Sequence, residues 1–315
     1  MRRALLAVVL TVTLVFISHP RQIWAAATQA DPWLLALAFG LVLVDRVVMA
    51  HRWYELLRPA FSGRTPPFLD VLHVSFVSSY LGTLLPTSVG GEALRVVAFA
   101  RRGFDGARVV ATVLMDRVLG VISMLLIAII GTGLTPHLLR DPVIATPLAL
   151  VFAGSLLTAT LLYSRRAVAL AWTLLRRLTP RQLLSRARRF LLAIHRHAAD
   201  HRTVTWVLAE SMLVQLPRIT QAYVVGTAIG LHLPYTAYLA LIPLALLVLL
   251  LPVSIGGMGT GQASFMLLFG RVGVSGADAF TLATLLLLLS LLGNLPGGLA
   301  YALGRELREP GAPVR

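Results

Sequence analysis

Two apolar stretches of the chain, 68–100 and 236–270, are interrupted by nearly the same sequence motif. The motif reads LLPTSVGGEALR at 84–95 and LLPVSIGG at 250–257. A straight membrane-spanning helix needs about 20 apolar residues. Each stretch is therefore too long for one crossing and too short for two. Proline removes a backbone donor, and paired glycines allow backbone angles closed to other residues. Each stretch is predicted to be a helix broken within the membrane.

The rest of the chain is also apolar: 57% of the 315 residues are hydrophobic and 13% are charged. Long apolar segments run over 4–18, 32–50, 68–100, 109–132, 146–163, 203–230, 236–270 and 279–303. We predict an all-α polytopic membrane protein with about six full transmembrane helices and two broken ones. No cysteine occurs, and the histidines lack H-E-x-x-H spacing, so we expect no disulfide, metal or cofactor.

The N-terminal sequence MRRALLAVVLTVTLVFI has two interpretations. With Ala25, Ala26 and Ala27 behind it, the segment fits a cleaved signal peptide. It also fits a first membrane helix with Trp24 as an interfacial anchor. Both alternatives stay open.

The arginines predict the orientation, because cytoplasmic loops carry the excess of positive charge. All 28 basic residues are arginine. If both broken segments return to the side they came from, 22 arginines face the cytoplasm and three face outward. If both cross fully, the ten arginines between Arg165 and Arg202 face outward. The first arrangement is favoured, with re-entrant hairpins, both termini cytoplasmic, and a bacterial inner membrane as the location.

The same topology predicts an inverted repeat within one membrane domain. Units 32–132 and 203–303 each contain a helix, a hairpin and a helix, in opposite orientations. The first helix and outer loop (1–31) precede them, a linking helix and basic amphipathic segment (133–202) joins them, and a cytoplasmic tail (304–315) follows. Inverted repeats with broken helices typify transporters. The net charge of +15 lies between apolar segments, which favours an anionic membrane surface over nucleic acid as partner.

The first break has the features of an anion site. A half-helix starting near Glu92 would direct the free amides of Gly90 and Gly91 into the membrane, with Arg95 one turn further. Amides at a helix N-terminus and an arginine fork suit a phosphate. In the alternative interpretation, Glu92 only caps the half-helix and Arg95 reaches the membrane surface.

The second break offers backbone amides without charge. Gly256, Gly257 and Gln262 lie in it, and no charged residue follows before Arg271. We include these three residues in the predicted substrate site, with close packing or a hinge as the alternative.

Further charges lie deep in apolar segments, where they are costly. One residue of the pair Asp116 and Arg117 is expected to pair with Arg95 or Glu92 across the cavity. The alternative, which the sequence supports equally, is a purely structural ion pair. Arg218 is a second predicted anion ligand, because it shares a helical stripe with Glu210 and Gln221.

Two polar positions are expected to have little functional weight. Asp45 and Arg46 lie near the inner end of an apolar segment and are expected to be interfacial. The sequence NLPGG beginning at Asn294 is expected to let helices pack closely.

The chain resembles the lysylphosphatidylglycerol synthase transmembrane, or flippase-like, family over residues 4–303. The resemblance rests on LPTSVGGEALR, MDRVLG, HRW and LPVSIGGMGTGQASF. It implies a domain similar to the lipid-translocating half of multiple peptide resistance factors, with other members linked to polyprenyl, hopanoid or glycolipid pathways. Relatives often carry an Arg-Glu pair where this chain has Gly261 and Gln262. Aminoacyl transfer belongs to a separate cytosolic domain of the family, so we expect no synthase activity.

Together, these features predict binding and translocation of an anionic phospholipid or lipid-linked substrate. An intramembrane lipid-modifying enzyme with Glu92 or Asp116 as general base is the first alternative. A scaffold for a lipid-pathway enzyme is the second.

The orientation can be measured by cysteine labelling, because the natural chain has no cysteine. With re-entrant hairpins, a membrane-impermeant thiol reagent outside intact cells should label His137→Cys and not Ser185→Cys. Full crossings predict the reverse, so labelling of Ser185→Cys alone would overturn this topology.

Overall fold

The computed structural model describes residues 28, 30–61, 63–83, 90–163, 173, 201–249 and 260–303. The segments predicted at 4–18 and the basic stretch at 174–200 lie outside these ranges. Every regular element in the described ranges is helical. The helices are α1 (Pro32–Ala60), α2 (Phe68–Thr83), α3 (Gly90–Ala100), α4 (Gly106–Leu134), α5 (Pro136–Leu139), α6 (Pro142–Tyr163), α7 (His201–Ala228), α8 (Tyr235–Leu249), α9 (Thr260–Phe269) and α10 (Gly276–Ala302), with a 3₁₀ turn at Gly270–Val272.

Three of the described helices, α1, α4 and α10, are long and apolar enough to cross a membrane. Large apolar side chains cover the outside, and Trp33, Leu150 and Leu299 are 83%, 68% and 63% exposed. Lipid can solvate such a surface, whereas water cannot do so favourably. The structure therefore describes an all-helical membrane protein, and the remaining predicted spans stay a prediction.

Helix α1 starts where its sequence predicts and ends later. The Asp31 carboxylate accepts hydrogen bonds from the amides of Trp33 and Leu34 at 2.8 and 3.4 Å, and Pro32 occupies the first turn. The apolar pattern stops at residue 50, yet the helix continues through HRW to Ala60. The added turns stay helical because Arg52 and Trp53 are buried against neighbouring helices.

The two broken segments form two antiparallel helix pairs. In the first pair, a Cβ on Gly82 would lie 2.7 Å from the Cα of Gly91, so the backbones of α2 and α3 nearly touch. In the second, a Cβ on Gly261 would lie 3.3 Å from Leu249, and Tyr238 packs on Phe269 with ring centroids 5.6 Å apart. The connecting residues 84–89 and 250–259, which include Gly256 and Gly257, lie outside the described residues.

Each pair packs against the other half of the chain. Helix α2 lies on α10, and α8 lies on α4, while the most extensive contact in the described part joins α1 to α7. Glycines allow the α2–α10 and α8–α4 contacts to be this close. A Cβ on Gly297 would collide with the backbone of Phe76, and one on Gly131 would collide with that of Ala240. The expectation of close packing at NLPGG is confirmed for its glycines.

Gly131→Leu should destabilise the α4–α8 contact, because the new side chain would meet the backbone of Ala240. Overpacking costs ~1–3 kcal/mol, so we expect a Tm lower by about 5 °C in detergent. Gly133→Leu on the same helix is the matched control, since no atom lies within 4 Å of its added Cβ. Equal Tm values for the two variants would contradict this packing.

Candidate functional site

Seven helices and Asp116 of α4 enclose a cavity of about 540 Å³ in the middle of the described bundle. Both antiparallel pairs contribute, with Gly91, Glu92 and Arg95 from α3 and Gly261 and Gln262 from α9. The polar and charged lining residues are Asp45, Arg46, Ser79, Thr83, Glu92, Arg95, Asp116, Arg218, Gln221, Gln262, Ser290 and Asn294. The other lining residues are apolar or glycine, so the cavity gathers charged groups within a largely apolar wall.

The carboxylate of Asp45 is held between two arginines. Nε of Arg218 donates to Oδ1 at 2.6 Å, and Nη1 of Arg46 donates to Oδ2 at 3.2 Å. The side chain of Asp45 is only 6% exposed. Because Arg218 belongs to α7, this triad ties the two most closely packed helices together at the cavity wall.

Arg46 extends the network to the last helix. Its Nε donates to Oδ1 of Asn294 at 3.1 Å and its Nη2 to the hydroxyl of Ser290 at 2.8 Å. The Asn294 amide in turn donates to the hydroxyl of Thr83 at 3.0 Å. Helices α1, α10 and α2 are therefore joined at one polar junction.

These contacts overturn two expectations. Asp45 and Arg46 were expected near the inner end of their segment, but they lie at the middle of α1 and line the cavity, because the helix continues beyond residue 50 to Ala60. Asn294 does more than allow close packing, since it lines the cavity and bonds to Arg46. The apolar pattern alone predicted that α1 would end too early. The helix continues because Arg52 and Trp53 of HRW have buried partners on neighbouring helices.

Behind the cavity wall lies a buried ion pair between α1 and α4. Nε of Arg52 donates to Oδ1 of Asp116 at 2.7 Å, and Nη1 donates to the hydroxyl of Ser211 at 3.3 Å. The two charged side chains are 5% and 11% exposed. Asp116 therefore faces the cavity already neutralised by Arg52.

The neighbouring residue, Arg117, has a different partner, because adjacent residues lie on different faces of a helix. Its Nε and Nη2 donate to Oε1 of Glu92 at 2.8 and 2.5 Å. The prediction that a residue of the Asp116-Arg117 pair would contact Glu92 or Arg95 is confirmed. Glu92 is consequently an acceptor for Arg117 and not a free carboxylate.

Arg95 has a different environment. Its Nε donates to the hydroxyl of Ser78 at 3.2 Å, and its guanidinium lies 5.3 Å from the ring centroid of Trp53. Among the described residues, no carboxylate forms an ion pair with it. A cation–π contact adds ~1–2 kcal/mol but does not neutralise the charge.

The charged groups at the cavity carry an excess of positive charge. Three arginines and three carboxylates line it, namely Arg46, Arg95 and Arg218 against Asp45, Glu92 and Asp116. From outside the lining, Arg52 neutralises Asp116 and Arg117 neutralises Glu92. With these two arginines included, the described residues of the cluster carry two more positive than negative formal charges. Because buried charge is costly without a counter-ion, the arrangement is suited to an anion.

The other predicted site residues divide into two groups. Gln221 and Gln262 line the cavity, whereas Glu210 of the predicted stripe does not and instead contacts His51, a lining residue of a separate cavity. Gly91 also lines it, and a Cβ there would lie 2.9 Å from the carbonyl oxygen of Ser78. Gly90, buried at the start of α3, is not part of the lining. An anion-binding role for the Gly90 and Gly91 amides stays a prediction.

Three separated sequence motifs meet at this site. HRW contributes Arg52 and Trp53, MDR contributes Asp116 and Arg117, and GEALR contributes Glu92 and Arg95. Each contact among them joins one motif to another. HRW is the motif whose role the sequence did not predict, and its unusual polarity after an apolar run was the available signal.

The chain is similar in sequence to known membrane proteins. The family model described as the lysylphosphatidylglycerol synthase TM region matches residues 4–297. The UPF0104 membrane protein of Pyrococcus horikoshii is 25% identical over 301 residues, which cover 89% of this chain and 89% of that protein. Since the family model spans nearly the whole sequence, the chain belongs to the family of the lysylphosphatidylglycerol synthase transmembrane region.

Proposed function

We propose that this protein binds a lipid with an anionic, phosphate-type head group in the central cavity and moves it between the membrane leaflets. The two unbalanced positive charges of the cavity carry this proposal. Arginine guanidinium groups pair with phosphate through two parallel hydrogen bonds. Arg95 and the pair Arg46 and Arg218 are the ligands, because each presents charge to the same space.

The cavity size supports a head group and not a whole lipid. Its volume of about 540 Å³ is within the range of small-molecule sites. A second, apolar groove of about 650 Å³ lies between α1 and α10 and is lined by Leu35, Phe39, Leu288, Leu292 and Leu299, among others. Helix α10 thus presents Ser290 and Asn294 to the cavity and leucines to the groove. Hydrocarbon chains of a phospholipid or of a polyprenyl, hopanoid or glycolipid carrier fit that groove.

The helix contacts support an inverted repeat as the transport framework. Helices α1, α2 and α4 of unit 32–132 correspond to α7, α8 and α10 of unit 203–303. Under this correspondence the α2–α10 contact is equivalent to the α8–α4 contact, and the α1–α7 contact is equivalent to itself. A site between two such units can open alternately to either side. With the arginine-based orientation, the first pair opens from the cytoplasm and the second from outside.

The alternative of an intramembrane enzyme receives no support from the cavity. Glu92 is bonded to Arg117 and Asp116 to Arg52. Both carboxylates that could act as a general base are therefore already engaged by arginines. A lipid-pathway enzyme as partner remains compatible with the transport proposal.

Arg95→Gln and Arg218→Gln should each lower the anionic lipid that copurifies with the protein and the translocation rate of a phosphate-headed fluorescent lipid in proteoliposomes. A charged hydrogen bond contributes ~1.5–3 kcal/mol, so we expect losses of about tenfold or more. Native mass spectrometry and a leaflet-selective quenching assay measure the two effects. Arg140→Gln, an exposed arginine, is the control. Unchanged binding and transport in both cavity variants would refute the site.

Glu92→Gln separates transport from the enzymatic alternative. The substitution removes a negative charge from the cavity and with it the ion pair between Glu92 and Arg117, so anionic lipid binding should be retained or strengthened. A catalytic base would instead be lost, and with it all product formation. Retained folding is checked by Tm, and abolished lipid turnover with intact lipid binding would favour the enzyme.

A further inference from the structure

Gln221 of α7 is a polar residue of the central cavity that takes no part in the ion pairs there. The residue lines the cavity and is only 9% exposed. Its side-chain amide has no hydrogen-bond partner among the described residues. A buried amide without a partner is costly, because it has lost its hydrogen bonds to water. A molecule in the cavity is therefore the expected source of a donor and an acceptor for this amide.

The amide lies beside the cationic groups of the cavity. Gln221 and Arg218 are three positions apart and share one face of α7. Arg95 of α3 donates its Nε to Ser78, and its two terminal nitrogens have no acceptor among the described residues. The groups that suit a phosphate are thus accompanied by a neutral group that both donates and accepts hydrogen bonds.

Ser79 of α2 adds a hydroxyl to the same space. Like the amide of Gln221, this hydroxyl has no hydrogen-bond partner among the described residues. The polar groups of Thr83, Ser290 and Asn294 differ, because they bond to one another or to an arginine. Gln221 and Ser79 are therefore two neutral groups of the cavity wall that can contact a ligand without breaking an existing side-chain hydrogen bond.

The carboxylates of the cavity are engaged and disfavour an amine. In the described part of the chain, Asp45, Glu92 and Asp116 line the cavity, and each accepts a hydrogen bond from an arginine. An ammonium group would have to compete with an arginine for these oxygens, and it would be repelled by the excess positive charge. A hydroxyl group meets neither cost, since an amide or a hydroxyl satisfies it as donor and acceptor.

We propose that the central cavity selects lipids whose phosphate carries a hydroxyl-bearing group, such as a polyol or a sugar, and rejects lipids whose head group carries an amine. Gln221 and Ser79 contact the hydroxyl groups, and Arg95 and Arg218 contact the phosphate. The inference rests on the proposed function, because it names the head-group chemistry of the same site. Binding alone determines this selection, so no covalent step is involved.

Three lipids with identical acyl chains test the selection on the wild-type protein. Phosphatidylglycerol carries two hydroxyls, phosphatidylpropanol has the same charge and nearly the same size without them, and phosphatidylethanolamine carries an amine. Native mass spectrometry should show phosphatidylglycerol bound about three- to tenfold more tightly than phosphatidylpropanol, as expected for one or two neutral hydrogen bonds. Phosphatidylethanolamine should bind most weakly. Equal binding of phosphatidylglycerol and phosphatidylethanolamine would overturn the selection.

Substitution of Gln221 tests which residue reads the hydroxyls. Gln221→Leu should reduce phosphatidylglycerol binding to the level of phosphatidylpropanol and leave phosphatidylpropanol binding unchanged. Gln221→Glu adds a negative charge to the cavity and should raise phosphatidylethanolamine binding relative to phosphatidylglycerol. Gln215→Leu on the same helix is the control, because Gln215 bonds to Ser123 and does not line the cavity. Tm measurements check folding, and wild-type preferences in both Gln221 variants would contradict the role of this amide.

Two further outcomes separate this inference from the proposed function. If phosphatidylglycerol and phosphatidylpropanol bind equally well and both exceed uncharged diacylglycerol, the anion site stands and the hydroxyl selection is wrong. If neither exceeds diacylglycerol, the proposed function fails and the selection with it. Soluble glycerol phosphate, the same head group without acyl chains, should not displace phosphatidylglycerol at equal concentration. Displacement would assign the cavity to a water-soluble ester and overturn the lipid as ligand.

Discussion

The buried contact between α1 and α7 is the interaction on which the rest of the structure depends. In a lipid environment, a charge that lacks a partner is expensive, so helices that carry charges must find each other. Asp45 between Arg46 and Arg218 meets this requirement at the centre, and Arg52 with Asp116 and Ser211 meets it further along α1. The helices α2, α4 and α10 pack against this α1–α7 pair.

The same requirement explains why the cavity is a site. Ion pairs neutralise most of the buried charges among the described residues. Arg95, in contrast, contacts Ser78 and Trp53 and forms no ion pair with a described carboxylate. In the proposed function, a negatively charged ligand completes this charge balance.

The sequence predicted much of the fold and part of the site. The all-helical membrane class follows from apolar length, and the two interruptions follow from proline and glycine. Arg218, Arg95 and the contact between Arg117 and Glu92 were predicted from charges in apolar segments. The roles of Asp45, Arg46 and Arg52 were missed, because the apolar pattern ends before HRW and polar residues near a predicted end look interfacial. The role of Asn294 was missed because the glycines that follow it indicated only close packing.

What the sequence determined by itself is the set of charges inside the membrane and the places where helices break, since both depend on local composition and backbone chemistry. Which charges are neutralised was decided only by the tertiary structure. Arg52 and Asp116 are 64 positions apart, and Arg218 and Asp45 are 173 apart. No local periodicity encodes such pairs, because they arise when distant helices share one buried interface and each carboxylate takes the nearest arginine.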